Sequence, residues 1–416
     1  MSSVVPEGWI TSRIQEVVLK VIDNRGKTPP LSDSGYNLIE VACVRDDKQF
    51  LDYEKITKCV SEDTYQTWFR NGHPKVGDTI VPTVGSIGEF AFVRENRGCI
   101  AQNLVALRPS AVIEPLFLYF QCYSEVVQNN ISRILMGAVQ PSLRVPHFLE
   151  TSLLLPPLPE QKKIASILTS VDEVIENTQK QIDKLQDLKK ATMNELLTKG
   201  IGHTEFKDSE LGRIPKSWEV RTVGELGSLK NGLNKPKESF GYGTKFVNIS
   251  DAYPVQLNCD SLGRLDASTK EIKDYSLEGG DLVFVRSSVK LGGVAIPTEF
   301  CYCGEPVVFC GFMIRFRPHL KGLESSFLRQ YLLNDATRVR IERLATGGAN
   351  ININQEALSQ FKVLLPTTEE QKYFSSVNVG FEDSLQKYQE KLSQTQSLKK
   401  SLMQDLLTGK VRVTVN

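Results

Sequence analysis

Long apolar runs are missing from this chain. None approaches the roughly 18 residues that a membrane-crossing helix needs, and the opening MSSVVPEGW has neither the basic nor the apolar region of an export signal. The expectation is a cytoplasmic chain without a membrane partner. Histidine is scarce: the four (His73, His147, His203, His319) are not spaced as a metal pair. The eight cysteines show no disulfide-framework spacing, and Cys301-x-Cys303 with Cys310 lacks the second pair or histidine that zinc requires, so reduced and mostly buried thiols are expected. Gly26-Lys27-Thr28 ends like a phosphate loop, but Val21 stands where the first glycine must be. No Gly-x-Gly-x-x-Gly follows a strand, and no Asp/Asn-Pro-Pro-aromatic tetrapeptide of an amino-methyltransferase occurs. With these motifs absent, a binding protein is favoured over an enzyme, and neither cofactor nor metal is expected in the chain.

Strong charge of either sign is missing too. The 416 residues carry a formal net charge of +1. Residues 1–155 hold 15 basic and 17 acidic side chains, and residues 203–362 hold 21 and 19. A polyanionic partner would therefore be met by local patches rather than by a basic domain. With 40% hydrophobic and 24% charged residues, the composition is that of a globular protein, and the length predicts two or three domains.

What the chain does have is a duplication. Residues 154–200 are answered by 364–410 at an offset of 210 without a gap. Leu155, Pro156, Glu160, Gln161 and Lys162 open the first copy, and Leu365, Pro366, Glu370, Gln371 and Lys372 the second. Gln-x-Leu-Lys-Lys and Leu-Leu-Thr close both, at 186–190 and 196–198, then at 396–400 and 406–408.

Each copy reads as one helix of roughly 40 residues and about 60 Å, with prolines only at its entrance and glycine at its exit. Ile164, Leu168, Val171, Ile175, Ile182 and Leu185 form a 3.5-residue stripe, and Phe374, Phe381, Leu385, Tyr388 and Leu392 form its counterpart. Acids and lysines balance along both helices, so neither is a basic surface; each needs an apolar partner, and the nearest is the other copy.

The duplication reaches into the rest. Pro6-Glu-Gly-Trp9 matches Pro215-Lys-Ser-Trp218, and Gly77-Asp78-Thr-Ile-Val81 matches Gly280-Asp281-Leu-Val-Phe284, each a turn feeding an apolar strand. Arg133, Ile134 and Gly137 match Arg343, Leu344 and Gly347. The plan is globular half, helix, globular half, helix. Short strands, Gly/Pro turns and a few helices (114–128, 325–344) predict mixed α+β halves.

Between these landmarks the halves diverge, and polar residues cluster in their loops. The first half offers Arg25, Lys27, Thr28, Thr83, Ser86, Arg133, Gln140 and Arg144. The second offers Lys230, Asn231, Asn234, Lys235, Lys237, Arg286, Ser287, Ser288, Lys290, Arg343, Asn350, Asn352 and Asn354. Arg and Lys suit guanine edges and phosphates, and amides suit adenine edges, so these residues are the DNA-binding candidates. The bland alternative is that they are ordinary solvated loops.

In this order and duplicated, Leu-Pro-Pro-Leu-Pro-Glu-Gln-Lys (155–162), its echo at 365–372, Leu-Gly-x-Ile-Pro-x-x-Trp (211–218) and Gly-Asp-Thr-Ile-Val-Pro-Thr-Val-Gly-Ser-Ile-Gly (77–88) resemble the specificity subunits of type I DNA restriction–modification enzymes. The echo departs from the family's pattern in reading Thr-Thr-Glu where Pro-x-x is usual. The resemblance implies an α+β fold of two target-recognition domains, 1–153 and 215–363. These are separated by two long antiparallel coiled-coil helices, 154–201 and 364–416 with its tail, and 202–214 is a linker. It implies a non-catalytic subunit in which each half reads one half of an asymmetric bipartite site in double-stranded DNA, while the helices set the spacer. It also implies two modification (methyltransferase) subunits carrying S-adenosylmethionine, and restriction motor-nuclease subunits. Two rivals remain at this point: a coiled-coil scaffold with two protein-binding domains, and an enzyme of unfamiliar type.

Overall fold

A computed structural model of the chain describes residues 5–45, 48–136, 141–252, 257, 259–347 and 350–414. The chain divides into two compact units, Met1–Ile182 with Lys387–Asn416 and Asp183–Gln386, and both divisions fall inside long helices. Those helices are Leu158–Lys199, 42 residues, and Thr368–Leu407, 40 residues, as the repeat predicts.

In the first unit a four-stranded antiparallel sheet runs Val18–Asp23, Leu104–Pro109, Thr79–Pro82, Ala91–Phe92. A three-stranded sheet places Tyr36–Ile39 between Cys59–Val60 and Cys99–Ile100, the latter parallel to it. The second unit repeats both. Gly227–Asn231, Met313–Pro318, Leu282–Val285 and Pro297–Glu299 form the antiparallel sheet. Phe240–Val247 lies between Gly263–Leu265 and its parallel neighbour Val307–Phe309. The strands at the heart of the sheets, Thr79–Pro82 and Leu282–Val285, are buried on both faces, which is why residues 80–82 and 282–285 read as apolar runs rather than alternating ones.

The helical stretches read at 114–128 and 325–344 are each broken in two. Pro115–Cys122 gives way to Glu125–Ile134, and Ser325–Leu333 to Asp335–Glu342. The cause is local. Ser124 and Asn334 adopt extended backbone, and their side chains accept from the amides of Val127 and Ala336, starting a second helix in a new direction. The polar stretch 202–214 contributes to a hairpin, Phe206–Ser209 against Gly212–Pro215.

Each unit holds a stretch of both long helices, and in each the two run antiparallel. In the first unit Leu168 shares a core with Leu406 and Leu407, and Asp172 pairs with Lys399 at 2.5 Å. In the second, Leu197 shares a core with Phe374, and Lys189 pairs with Glu382. Ile164, Leu168, Ile182, Phe374 and Leu385 are buried, while Val171, Ile175, Leu185, Phe381, Tyr388 and Leu392 are half-buried. The stripe therefore has two duties. Ile164 and Leu168 enter the core of the first globular half with Phe117 and Phe120, and Phe374 packs against Trp218 and Phe327 in the second.

The matched termini of the repeat explain its signature residues. The buried indole of Trp9 donates to Glu160 at 2.9 Å, and that of Trp218 to Glu370 at 2.9 Å. Gln161 accepts from the amide of Glu114 and donates to Pro156 O, while Gln371 accepts from Glu324 and donates to Pro366 O. Glu-Gln is thus a clamp fastening helix to globular half. The Thr-Thr-Glu departure acquires a reason as well. Thr367 and Glu370 form a capping pair, Thr367 N to Glu370 Oε2 at 3.4 Å and Glu370 N to Thr367 Oγ1 at 3.3 Å, which Pro157 at the equivalent place cannot provide.

One expectation about cysteine is corrected. Cys259 and Cys303 are joined as a disulfide with Cα atoms 5.7 Å apart; the fold brings together two loops 44 residues apart that no local spacing connects. Cys43, Cys59, Cys99, Cys122, Cys301 and Cys310 are free thiols, and Cys301 is exposed.

Candidate nucleic-acid interface

The Gly-Asp landmark belongs to the scaffold of the site. Gly77 (φ 93°) and Gly280 (φ 88°) turn the chain through a conformation that side chains resist. The following aspartates are almost fully buried. Asp78 receives Arg108 through Nε at 3.1 Å and Nη2 at 2.8 Å, plus the Lys75 amide at 2.8 Å. Asp281 receives Arg317 at 2.9 and 2.7 Å, plus the Glu278 amide at 2.8 Å. Each bidentate pair locks the start of the central strand to its neighbour.

At the far end of the same strand, three segments meet through one backbone pattern in both halves. In the first, Thr83 N donates to Asn103 O at 2.8 Å, Leu143 N to Thr83 O at 2.8 Å and Leu104 N to Ala101 O at 3.1 Å. In the second, Arg286 N donates to Phe312 O at 2.8 Å, Ile353 N to Arg286 O at 3.0 Å and Met313 N to Cys310 O at 3.0 Å. The frame makes Thr83 equivalent to Arg286, Gln102-Asn103 to Gly311-Phe312, and the segment around Ser142 to that around Asn352.

In the first half this frame opens into a cleft of about 510 Å³, lined by Arg25, Gly26, Thr83, Val84, Gln102, Asn103 and Ser142 through His147. Three of the sequence candidates, Arg25, Thr83 and Arg144, share it. Arg25 is partly spent, because Nε and Nη2 clasp Asp23 at 2.8 and 2.6 Å. Thr83 is buried and donates to Asn103 O, a structural duty. Arg144 is exposed at the rim. Lys27 and Thr28 are exposed nearby, and Thr28 accepts from Gln102 Nε2 at 3.2 Å. Ser86 is half-buried in a turn, and Arg133 is exposed at the last turn of its helix. Gln140 lies outside the described residues.

In the second half the candidates separate into bound and free. Lys230 donates to Asp274 O at 2.8 Å and lies 4.3 Å from the Tyr275 ring centre. Lys235 pairs with Glu271 at 2.8 Å, and this bond, followed by those from Ser268, pulls the Glu271 carboxyl down to about 2. Asn354 caps the helix Gln355–Ser359 through Ala357 N, and Asn352 donates to Asn350 O at 3.1 Å. Asn231 faces the Gln355 amide. Ser287 and Ser288 pair with Asn352 and Ile351 as a small ribbon, and Ser288 Oγ accepts from Lys290 N. Arg286 donates to Gly311 O at 3.3 Å, and a Cβ on Gly311 would collide with the Asn234 amide, so these three lie together. Lys237, Lys290, Arg343 and Asn350 are exposed.

The sequence reading missed Gln102, Asn103, His147 and Phe312. The available signal was a polar or glycine-aromatic pair between two apolar strands (Ile100-Ala101 and Leu104-Val105; Phe309-Cys310 and Met313-Ile314) at the same point of each half. Among the described residues no cluster of His, Cys, Asp and Glu is suited to hold a metal ion.

The model of the type I restriction–modification DNA specificity domain matches the chain twice, over residues 6–187 and 215–377. The chain belongs to that family. It is a specificity subunit with two target-recognition domains, a non-catalytic component by family. A Methanocaldococcus jannaschii protein proposed as the MjaX type I restriction enzyme specificity subunit is 28% identical over 427 residues, 98% of this chain and 95% of its own. The MjaVIII specificity subunit of the same organism is 27% identical over 321 residues, covering 76% and 75%. A solved chain of a type I restriction–modification system shares the fold, with a TM-score of 0.60 at 16% identity over 98% of this chain and 100% of its own. Both matched stretches contain the repeated backbone frame, which carries unlike side chains in the two halves.

Proposed function

We propose that this specificity subunit directs methylation to an asymmetric bipartite site in double-stranded DNA, each half reading one half-sequence through the loops at the far end of its central strand. The observation that carries the reading is the repeated frame with unlike side chains: the same three backbone hydrogen bonds present Thr83 and Asn103 in one half, Arg286 and Phe312 in the other. Identical readers would read identical half-sites; these readers differ. The long helices act as the spacer between half-sites and as the docking surface for two modification subunits. Those subunits supply S-adenosylmethionine and the reacting site, and restriction motor-nuclease subunits join for cleavage. The assembly works in the cytoplasm. Lys27, Lys237, Lys290, Arg133, Arg144 and Arg343, all exposed, serve phosphates and base edges; Lys235, Asn354 and Asp78 serve the fold.

The test is co-expression of the chain with its modification subunits in a host lacking other methylation, followed by sequencing of methylated positions. The expected result is one motif of two unlike half-sequences at a fixed separation. A motif made of one contiguous sequence, or methylation that persists without this chain, overturns the reading.

A further inference from the structure

The three-bond frame does more than repeat. In both halves the third carbonyl of the turn entering the long sheet strand, Ala101–Leu104 and Cys310–Met313, accepts from the end of the central strand, Asn103 O from Thr83 N and Phe312 O from Arg286 N, both at 2.8 Å. The turn's backbone is therefore fixed by bonds that do not depend on its side chains. Its two central positions are free to vary, and they do: Gln102-Asn103 in one half, Gly311-Phe312 in the other.

What these residues leave unused is informative. Gln102 and Asn103 are half-buried in the cleft wall, between the Arg25-Gly26 turn and the Ser142–His147 segment. Gln102 donates one hydrogen to Thr28 Oγ1. The side chain of Asn103 makes no hydrogen bond among the described residues, although its own carbonyl is engaged. An amide held in a concave site with donor and acceptor both open is matched to a partner offering the complementary pair. Asn and Gln meet an adenine edge in this way, through N6 and N7. Phe312, by contrast, is 57% exposed beside Arg286 and Asn234, an apolar ring that the protein itself does not cover. Aromatic side chains at such places make apolar contact with a thymine methyl.

We propose that this turn is the specificity-determining element of each half, with Gln102 and Asn103 reading an adenine edge in the first half-site and Phe312 contacting a thymine methyl in the second. The proposal rests on the function assigned above. It differs from the loop candidates found by sequence, because it names the position whose backbone is pinned and whose side chains alone vary.

The test uses the chain in complex with its modification subunits, in three versions: wild type, Gln102→Ala/Asn103→Ala, and Phe312→Ala. Methylated positions are sequenced in cells carrying each. The purified complexes are then measured against duplexes changed one base pair at a time across the wild-type motif. None of the three side chains holds the frame, so assembly and melting should match wild type. Expected is a loss of discrimination at one A·T pair of the first half-site for the double variant, by about 5- to 150-fold, with the second half-site read as before. For Phe312→Ala, discrimination should fall at a T·A pair of the second half-site only, and replacing that thymine by deoxyuridine should reproduce the loss in wild type. An unchanged motif overturns the proposal. So does a uniform weakening at every position with no change in discrimination, which would mark phosphate or sugar contacts instead. Absence of any bipartite motif in wild type overturns the functional reading itself, a distinct result.

Discussion

Replacing Glu370 by Ala removes the acceptor that organises the start of the second long helix. Trp218 is fully buried and its indole N–H has Glu370 Oε2 as its partner at 2.9 Å. His203 Nε2 lies 2.7 Å from Oε1, and Thr367 uses the same carboxylate in its cap. Orphaning a buried donor costs about 1–3 kcal/mol, and losing a helix cap about 1 more. The expected destabilisation is about 2–4 kcal/mol. Burial by itself would raise the Glu370 carboxyl, but the bonds from His203 and Trp218 outweigh it and the net shift is downward.

A carboxyl lowered on folding stabilises above its unfolded value and loses that contribution as pH falls through the folded value. The difference between wild type and Glu370→Gln, which keeps the shape without the charge, should therefore be full near neutrality and shrink below about pH 4.5. The assay is a urea titration read by hydrogen exchange, segment by segment. Peptides around Trp218 and 362–365 should lose protection in Glu370→Ala, while peptides of the first unit serve as internal reference. A change under about 0.5 kcal/mol at neutral pH, or a difference that grows on acidification, would refute the reasoning.

Three further outcomes are expected. Asp281→Ala leaves Arg317 and the Glu278 amide without their buried partner and should cost about 3–5 kcal/mol in equilibrium unfolding; loss of less than 1 kcal/mol would mean the pair is ornamental. Lys235→Ala should leave the salt slope of DNA binding unchanged and let the Glu271 carboxyl rise from about 2 toward its ordinary range, seen by NMR titration, whereas Lys237→Ala should lower the slope by about one; the reverse pattern would exchange their roles. Duplicating Glu176 to Gln179 adds about 6 Å and slightly more than one full turn of helix, so the methylated half-sequences should be unchanged but one or two base pairs farther apart, and an active variant with the original spacer would show that the helix does not set it.

The sequence by itself determined the duplication, the two long helices and the plan of alternating halves. These are local facts: an offset of 210 is visible in a string of letters, and a 3.5-residue stripe is a property of one segment. Glu-Gln at each helix entrance was visible as a repeat but not as a clamp, because its partners Trp9 and Glu114 lie 151 and 47 residues away. Only the tertiary structure decided which polar residues are free. Lys235 and Lys237 are near neighbours of one chemical type, yet one is tied to a carboxylate 36 residues on and the other is exposed. Asn354, a DNA-binding candidate in the sequence, is a helix cap, while Asn103, which the sequence did not single out, faces a cleft. That cleft joins residues near 25, 83, 102 and 144, and no periodicity links them. Segments far apart in the chain meet only when the sheet is assembled, and burial and hydrogen bonding then decide which side chains remain available to a partner.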